Sequence, residues 1–129
     1  VGIKSHLHIV GKPAFDMSEK AVKRAGLDHW EKLKLSFHSD WEEFLQYAKD
    51  PSRIFLVTKF GKTTYYENQF QDGDFLVFGS ETSGLPPEVH ASIPDIQKLK
   101  IPMLDESVRS LNLSNSVAIV AYEAIRQLL

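Results

Sequence analysis

Two short segments, Arg53-Ile-Phe-Leu-Val-Thr58 and Asp74-Phe-Leu-Val-Phe78, are apolar throughout their interiors. A strand with one wet face alternates apolar and polar residues. A strand without alternation is covered on both faces, as in the centre of a parallel sheet. Parallel neighbours need crossover connections, and helices carried on those crossovers supply the cover. This feature points to the α/β class before any motif is considered.

The remaining sequence falls into the same alternation of strands and helices. His6-Leu-His-Ile-Val10 alternates and reads as a strand, which Gly11-Lys-Pro13 breaks. Ser18 to Ala25 reads as a short Ser-capped helix stopped by Gly26, and Leu33 to Phe37 as another strand. Asp40 is placed to cap a helix over Trp41 to Ala48, in which Trp41, Phe44, Leu45 and Ala48 share a face. A short helix is expected near Pro86-Pro87, since proline is tolerated in the first turn. Ile96 to Ile101 reads as a weaker strand closed by Pro102. From Asn112 to the end, Leu113, Val117, Val120, Ala121, Ala124 and Leu128 recur at helical spacing. No repeat, low-complexity tract or linker interrupts this order, so residues 1–129 are expected to form one α/β domain with a mainly parallel sheet and helices on both faces.

The 129 residues, 43% of them hydrophobic, suffice for one domain with a real core. The formal net charge of -2 argues against nucleic-acid binding through bulk positive charge, but leaves room for a local basic patch. The absence of cysteine excludes a disulfide framework, a thiolate zinc site and a cysteine nucleophile. Val1-Gly2-Ile3-Lys4 shows no signal-peptide pattern and the apolar runs are too short to span a bilayer. A cytoplasmic protein without a membrane anchor is expected.

Two stretches carry the chemistry. In Phe78-Gly-Ser-Glu-Thr-Ser-Gly-Leu-Pro-Pro87 an apolar strand runs into a glycine-rich turn and then a helix. Ligands of open α/β sheets bind beyond the carboxyl ends of the strands. Gly79 and Gly84 permit close backbone approach and positive φ there, and Glu81 adds a charge. Neither the dinucleotide fingerprint nor a P-loop is present. Read alone, two glycines make an ordinary strand-to-helix turn. The second stretch, Ile101-Pro-Met-Leu-Asp-Glu-Ser-Val-Arg-Ser-Leu-Asn-Leu-Ser-Asn115, is a polar loop opening onto the apolar last helix. Ser110, Asn112 and Ser114 alternate there, and read alone they are helix-capping residues.

Together, in this order and spacing, the two stretches resemble the second and third motifs of the SPOUT RNA methyltransferases, in particular the branch that 2′-O-methylates the wobble nucleotide of tRNA. Arg24-Ala-Gly-Leu-Asp28, Gln71-Asp-Gly-Asp74 and Ala121-Tyr-Glu-Ala124 extend the resemblance over essentially the whole chain. The resemblance implies a parallel α/β sheet with a C-terminal trefoil knot, a topology that periodicity does not show. It implies S-adenosylmethionine as cofactor, held by Val57, Gly79, Ile101, Ser110 and Leu111, much of it through backbone groups, with Glu81 organising the loop. Asn112 and Ser110 fall on polar positions near the reacting centre. Asn112 cannot be a strong base and would position the substrate. Arg109 lies inside the third motif, where an RNA or site contact is expected. Tyr122 lies on the last helix where the family places an aromatic near the homodimer interface and the substrate, although read alone it is a packing residue. The first strand, first helix, Asn-Thr-Gly-Asn stretch and activating Arg of the family have no counterpart in these residues. The expectation is an incompletely recorded chain, and a protein truly without them would bind cofactor while catalysing poorly.

The remaining candidates are weaker. His6 and His8 share one side of a strand, but without a third ligand nearby no metal site is expected. His29, His38 and His90 are isolated in sequence and read as ordinary surface residues. Lys20, Lys23 and Arg24 form a basic helix face suited either to phosphate or to solvent. Two functional expectations compete: a tRNA ribose 2′-O-methyltransferase, and a non-catalytic knotted RNA-binding dimer that has lost the first motif. A generic nucleotide-binding enzyme ranks below both, because no phosphate-cradling fingerprint is present.

Overall fold

The computed structural model describes residues 6–10, 34–79, 84–103 and 112–129. The chain divides into two compact units, Val1–Lys49 and Asp50–Leu129.

In the first unit, β1 (His6–Val10) pairs in parallel with β2 (Lys34–His38), His6 opposite Lys34 and Val10 opposite His38. The expected Ser18–Ala25 helix, with Lys20, Lys23 and Arg24, lies outside the described residues. α1 (Trp41–Ala48) starts where Asp40 accepts a 2.9 Å hydrogen bond from the Glu43 amide, one of the orphan donors of the first turn. Phe44 is the buried residue of its apolar face. His38 corrects the expectation of an isolated surface residue. It is 6% exposed, its Nε2 lies 2.9 Å from Nδ1 of His8, and both rings pack on Phe44 and Tyr47. One imidazole must donate and the other accept across so short a distance. Parallel register brings together two histidines 30 residues apart.

The second unit is built on a four-stranded sheet in the order β4-β6-β3-β5, every neighbouring pair parallel. β3 (Ile54–Val57) lies inside it, and Ile54, Phe55 and Leu56 are buried, as the unbroken apolar run requires. β5 (Phe75–Phe78) has the same composition but is only half-buried, because it forms one edge of the sheet among the described residues. α2 (Pro87–Ser92) leads to β6 (Lys98–Lys100). The strand expected from Ile96 begins two residues later, since Asp95–Gln97 forms a 3-10 turn. Its buried Gln97 donates to the carbonyls of Pro51 at 2.7 Å and Ile54 at 2.8 Å. Those carbonyls would otherwise be costly orphans. β4 (Thr63–Thr64) completes the sheet against β6. α3 (Leu113–Leu128) packs against β5 and the 3-10 turn Tyr65–Glu67.

Phe55, Phe70, Leu99 and Val120 form the core of this unit, with Val57, Leu76, Phe78, Ile101 and Ala124 packed around them. α3 is also fastened by hydrogen bonds. Gln127 accepts from the Phe70 amide at 2.9 Å and donates to the Asn68 carbonyl at 2.9 Å. Glu123 receives Arg126 at 2.8 Å twice and Gln127 at 2.7 Å. Hydrogen bonds from Arg126, then from Gln127, hold the Glu123 carboxyl at a pKa of about 2, so this clasp is ionised at neutral pH.

The starts of β3 and β5 are joined by a bidentate ion pair. Arg53 donates Nε to Asp74 Oδ1 at 2.7 Å and Nη2 to Oδ2 at 2.6 Å, and its guanidinium lies 4.9 Å from the centroid of the Phe55 ring. The hydrogen bonds of Asp74 raise the Arg53 pKa above its ordinary value. Asp74 is only 6% exposed on its side chain and also accepts the Gln71 amide at 2.8 Å. Asp74→Ala is therefore expected to cost about 2–4 kcal/mol, below the range for fully buried pairs because Arg53 retains some water. Urea denaturation of wild type and variant measures this, and a loss under about 0.5 kcal/mol, the level of an ordinary surface change, would show that the pair contributes no more than one.

Candidate functional site

Three of the sequence candidates converge at one end of the second sheet. β3 pairs with β5 so that Val57 lies opposite Phe78, and with β6 so that Val57 lies opposite Leu99. Val57, Gly79 and Ile101 therefore occupy the carboxyl ends of three adjacent parallel strands, Gly79 one residue beyond Phe78 and Ile101 two beyond Leu99. That edge is where open α/β sheets bind ligands. The side chains of Val57 and Ile101 pack on the core, which leaves chiefly their backbone groups to meet a ligand.

The two glycines of the turn have different tasks. A Cβ at Gly79 would overlap the Gly84 carbonyl carbon and lie 2.5 Å from the Leu85 amide nitrogen. Gly79 is needed because two backbone segments touch there. Gly84 has φ of 68° with open space around its missing Cβ, so its requirement is conformational. The result is a strand end that turns back on itself at backbone distance. Glu81 lies outside the described residues.

Asn112 is the N-cap of α3. Its Oδ1 accepts the Asn115 amide at 2.9 Å and the Ser114 hydroxyl at 3.1 Å. With that oxygen committed to the cap, the group Asn112 can offer a reacting centre is its amide NH2, a donor and not a base. Tyr122 is 58% exposed on α3, where Val120 and Ala121 are buried. Arg109, Ser110 and Leu111 lie outside the described residues. Among the described residues no group of three or more His, Asp or Glu side chains could hold a metal ion. No helix among them is long and apolar enough to cross a membrane.

Sequence reasoning passed over the loop after β3. Gly61 lies on β6 so closely that a Cβ there would overlap the Leu99 carbonyl carbon and sit 2.6 Å from its oxygen. The Thr58 amide donates to the Leu99 carbonyl at 2.9 Å and the Lys62 amide to the Lys98 carbonyl at 3.2 Å. Lys59-Phe-Gly-Lys62 was the available signal, an aromatic residue beside a glycine in a loop leaving a buried strand.

Comparison with known proteins places this geometry among RNA methyltransferases. The family described as SpoU rRNA Methylase matches residues 2–122. The chain is 44% identical over 122 residues to tRNA (cytidine(34)-2'-O)-methyltransferase of Escherichia coli (strain K12), covering 95% of this chain and 76% of the relative. Among solved structures, a chain from a study of 2-OH methylation of C/U34 on tRNA superposes with a TM-score of 0.87 at 42% identity, covering 98% of this chain and 76% of its own. A chain described as a putative RNA methyltransferase from Bacillus anthracis gives 0.84 at 40% identity, with 95% and 77% covered.

Proposed function

Because the chain belongs to the SpoU rRNA Methylase family, we propose that it transfers a methyl group from S-adenosylmethionine to a ribose 2′-hydroxyl of tRNA, at the wobble nucleotide. The observation that carries this is its similarity, through nearly its whole length, to tRNA (cytidine(34)-2'-O)-methyltransferase.

The residues present fit the cofactor. The touching backbones at Gly79 and Gly84 would form one wall of the cofactor cradle, which any side chain at Gly79 would force out of place. Val57 and Ile101 would flank it with backbone groups, and Ser110 and Leu111 would close it from the loop before α3. When bound, S-adenosylmethionine supplies an electrophilic methyl carbon on a sulfonium. What remains for the protein is to hold the ribose oxygen in line with that carbon and to assist loss of its proton. Asn112, fixed by its own cap, would donate a hydrogen bond that orients the ribose, and Ser110 would supply a second polar group. Arg109 and Tyr122 would hold the RNA. The whole would form one domain carrying the C-terminal knot. A homodimer is supported by the apolar residues α3 leaves in solvent, among them Val117 and Leu128. An enzyme that modifies tRNA in this way would work in the cytoplasm.

The test is transfer of labelled methyl from S-adenosylmethionine to unmodified tRNA transcripts, with the acceptor mapped. Label at the 2′-oxygen of nucleotide 34, lost when that ribose is deoxy, is expected. Binding of cofactor and tRNA without transfer by the full-length protein would replace this proposal with the non-catalytic RNA-binding dimer.

A further inference from the structure

The loop after β3 and the helix α2 border an open, solvent-facing groove of about 740 Å³ that none of the residues assigned above lines. Phe60, Leu85, Pro87 and His90 give it an apolar wall, and Lys62 and Lys98 stand at it. Phe60 is 65% exposed. The Lys59 ammonium lies 5.1 Å from the Phe60 ring centroid, and the His90 ring meets Phe60 edge to face at 6.0 Å. Lys98 is paired with Asp95 at 3.1 Å. Among the described residues the ion pairs engage His38, Arg53, Lys98 and Arg126, leaving Lys59 and Lys62 without a carboxylate.

The groove adjoins the strand ends. Leu85 follows Gly84, whose backbone touches Gly79. Phe60 lies three residues beyond Val57, in a loop laid on β6 by the Thr58 and Gly61 contacts to Leu99. An exposed ring beside two lysines that have no carboxylate partner among the described residues is a combination that suits unpaired nucleic acid, in which bases stack on aromatics and phosphates meet ammonium groups. On a chain of net charge -2, this local positive charge favours a polyanion over an apolar peptide. A volume of this size accommodates a single nucleotide.

From this placement we infer that the Phe60 groove holds an unpaired nucleotide of the RNA substrate, next to the one whose ribose is methylated. Its base stacks on Phe60, and Lys59 and Lys62 meet the flanking phosphates. This rests on RNA being the substrate and adds a contact that fixes which loop nucleotide is presented.

The experiment measures binding of a fluorescent single-stranded RNA loop, closed by a short stem, in the presence of S-adenosylhomocysteine. Phe60→Ala is expected to weaken RNA binding at least fivefold while affinity for S-adenosylhomocysteine and melting temperature stay unchanged, and Phe60→Tyr is expected to restore it. The double variant Lys59→Ala/Lys62→Ala is expected to weaken binding and to flatten its dependence on salt. Wild-type RNA affinity in Phe60→Ala, beside a wild-type protein that binds RNA and transfers methyl groups, would overturn this inference and leave the proposed function standing. A change of oligomeric state in Phe60→Ala with unaltered RNA affinity would overturn it in favour of an interface between copies. A wild-type protein that binds no RNA would overturn both.

Discussion

Gly79→Trp is expected to lower affinity for S-adenosylhomocysteine by at least about 100-fold, or about 2.7 kcal/mol of binding free energy. The size follows from what surrounds the glycine. A Cβ alone would collide with the backbone of Gly84 and crowd the Leu85 amide, and backbone cannot rotate away as a flexible side chain can. The turn would have to move off the end of β5, and the proposed cradle would open or fill with indole. Gly79→Ala separates distortion from obstruction. It carries the Cβ collision without the bulk, so its affinity is expected to fall between those of wild type and Gly79→Trp. Calorimetric titration reads both, with circular dichroism to establish that each variant is folded. A folded Gly79→Trp protein that binds with wild-type affinity would place the cofactor away from the ends of β3, β5 and β6.

What could be read from the sequence divides by the distance over which each feature is determined. Helix caps are local, set by a side chain three residues before the amide it receives. The Asp40 cap was legible, whereas for the last helix the sequence offered Ser110, Asn112 and Ser114 alike and the structure selects Asn112. β3 was legible because coverage on both faces removes alternation within the strand itself. β4 was not. Thr63 and Thr64 have no apolar pattern, and their pairing depends on Gly61 resting against the backbone of β6, a contact made by folding. His38 was misread for the same reason, its partner being supplied by strand register. The late start of β6 depends on Gln97 reaching the carbonyls of Pro51 and Ile54. At the candidate site, the two motif glycines were recognisable as a pair. Only coordinates separate the steric demand at Gly79 from the conformational one at Gly84.

Leu99→Ala is expected to be the most destabilising of the stability variants considered, at about 3–4 kcal/mol, within the range for fully buried leucine. Leu99 is 0% exposed and packs with Phe55, Phe70 and Val120, so truncation leaves a cavity between the sheet and α3. Collapse into that cavity is opposed from three sides. β6 is held between β3 and β4, the Leu99 carbonyl is fixed by the Thr58 amide, and Gln127 clasps α3 to the Asn68–Phe70 segment. A site that cannot relax lies toward the costly end of such substitutions. Against a total stability of about 5–15 kcal/mol the loss is large, whereas Ile96→Ala, at a side chain 76% exposed, is expected to stay within about 0.5 kcal/mol. Urea unfolding of both variants measures the contrast. A Leu99→Ala loss below about 1 kcal/mol would mean that β6 and α3 close over the cavity. The strand carrying Ile101 would then be a movable element, and not the fixed edge on which the proposed cofactor site depends.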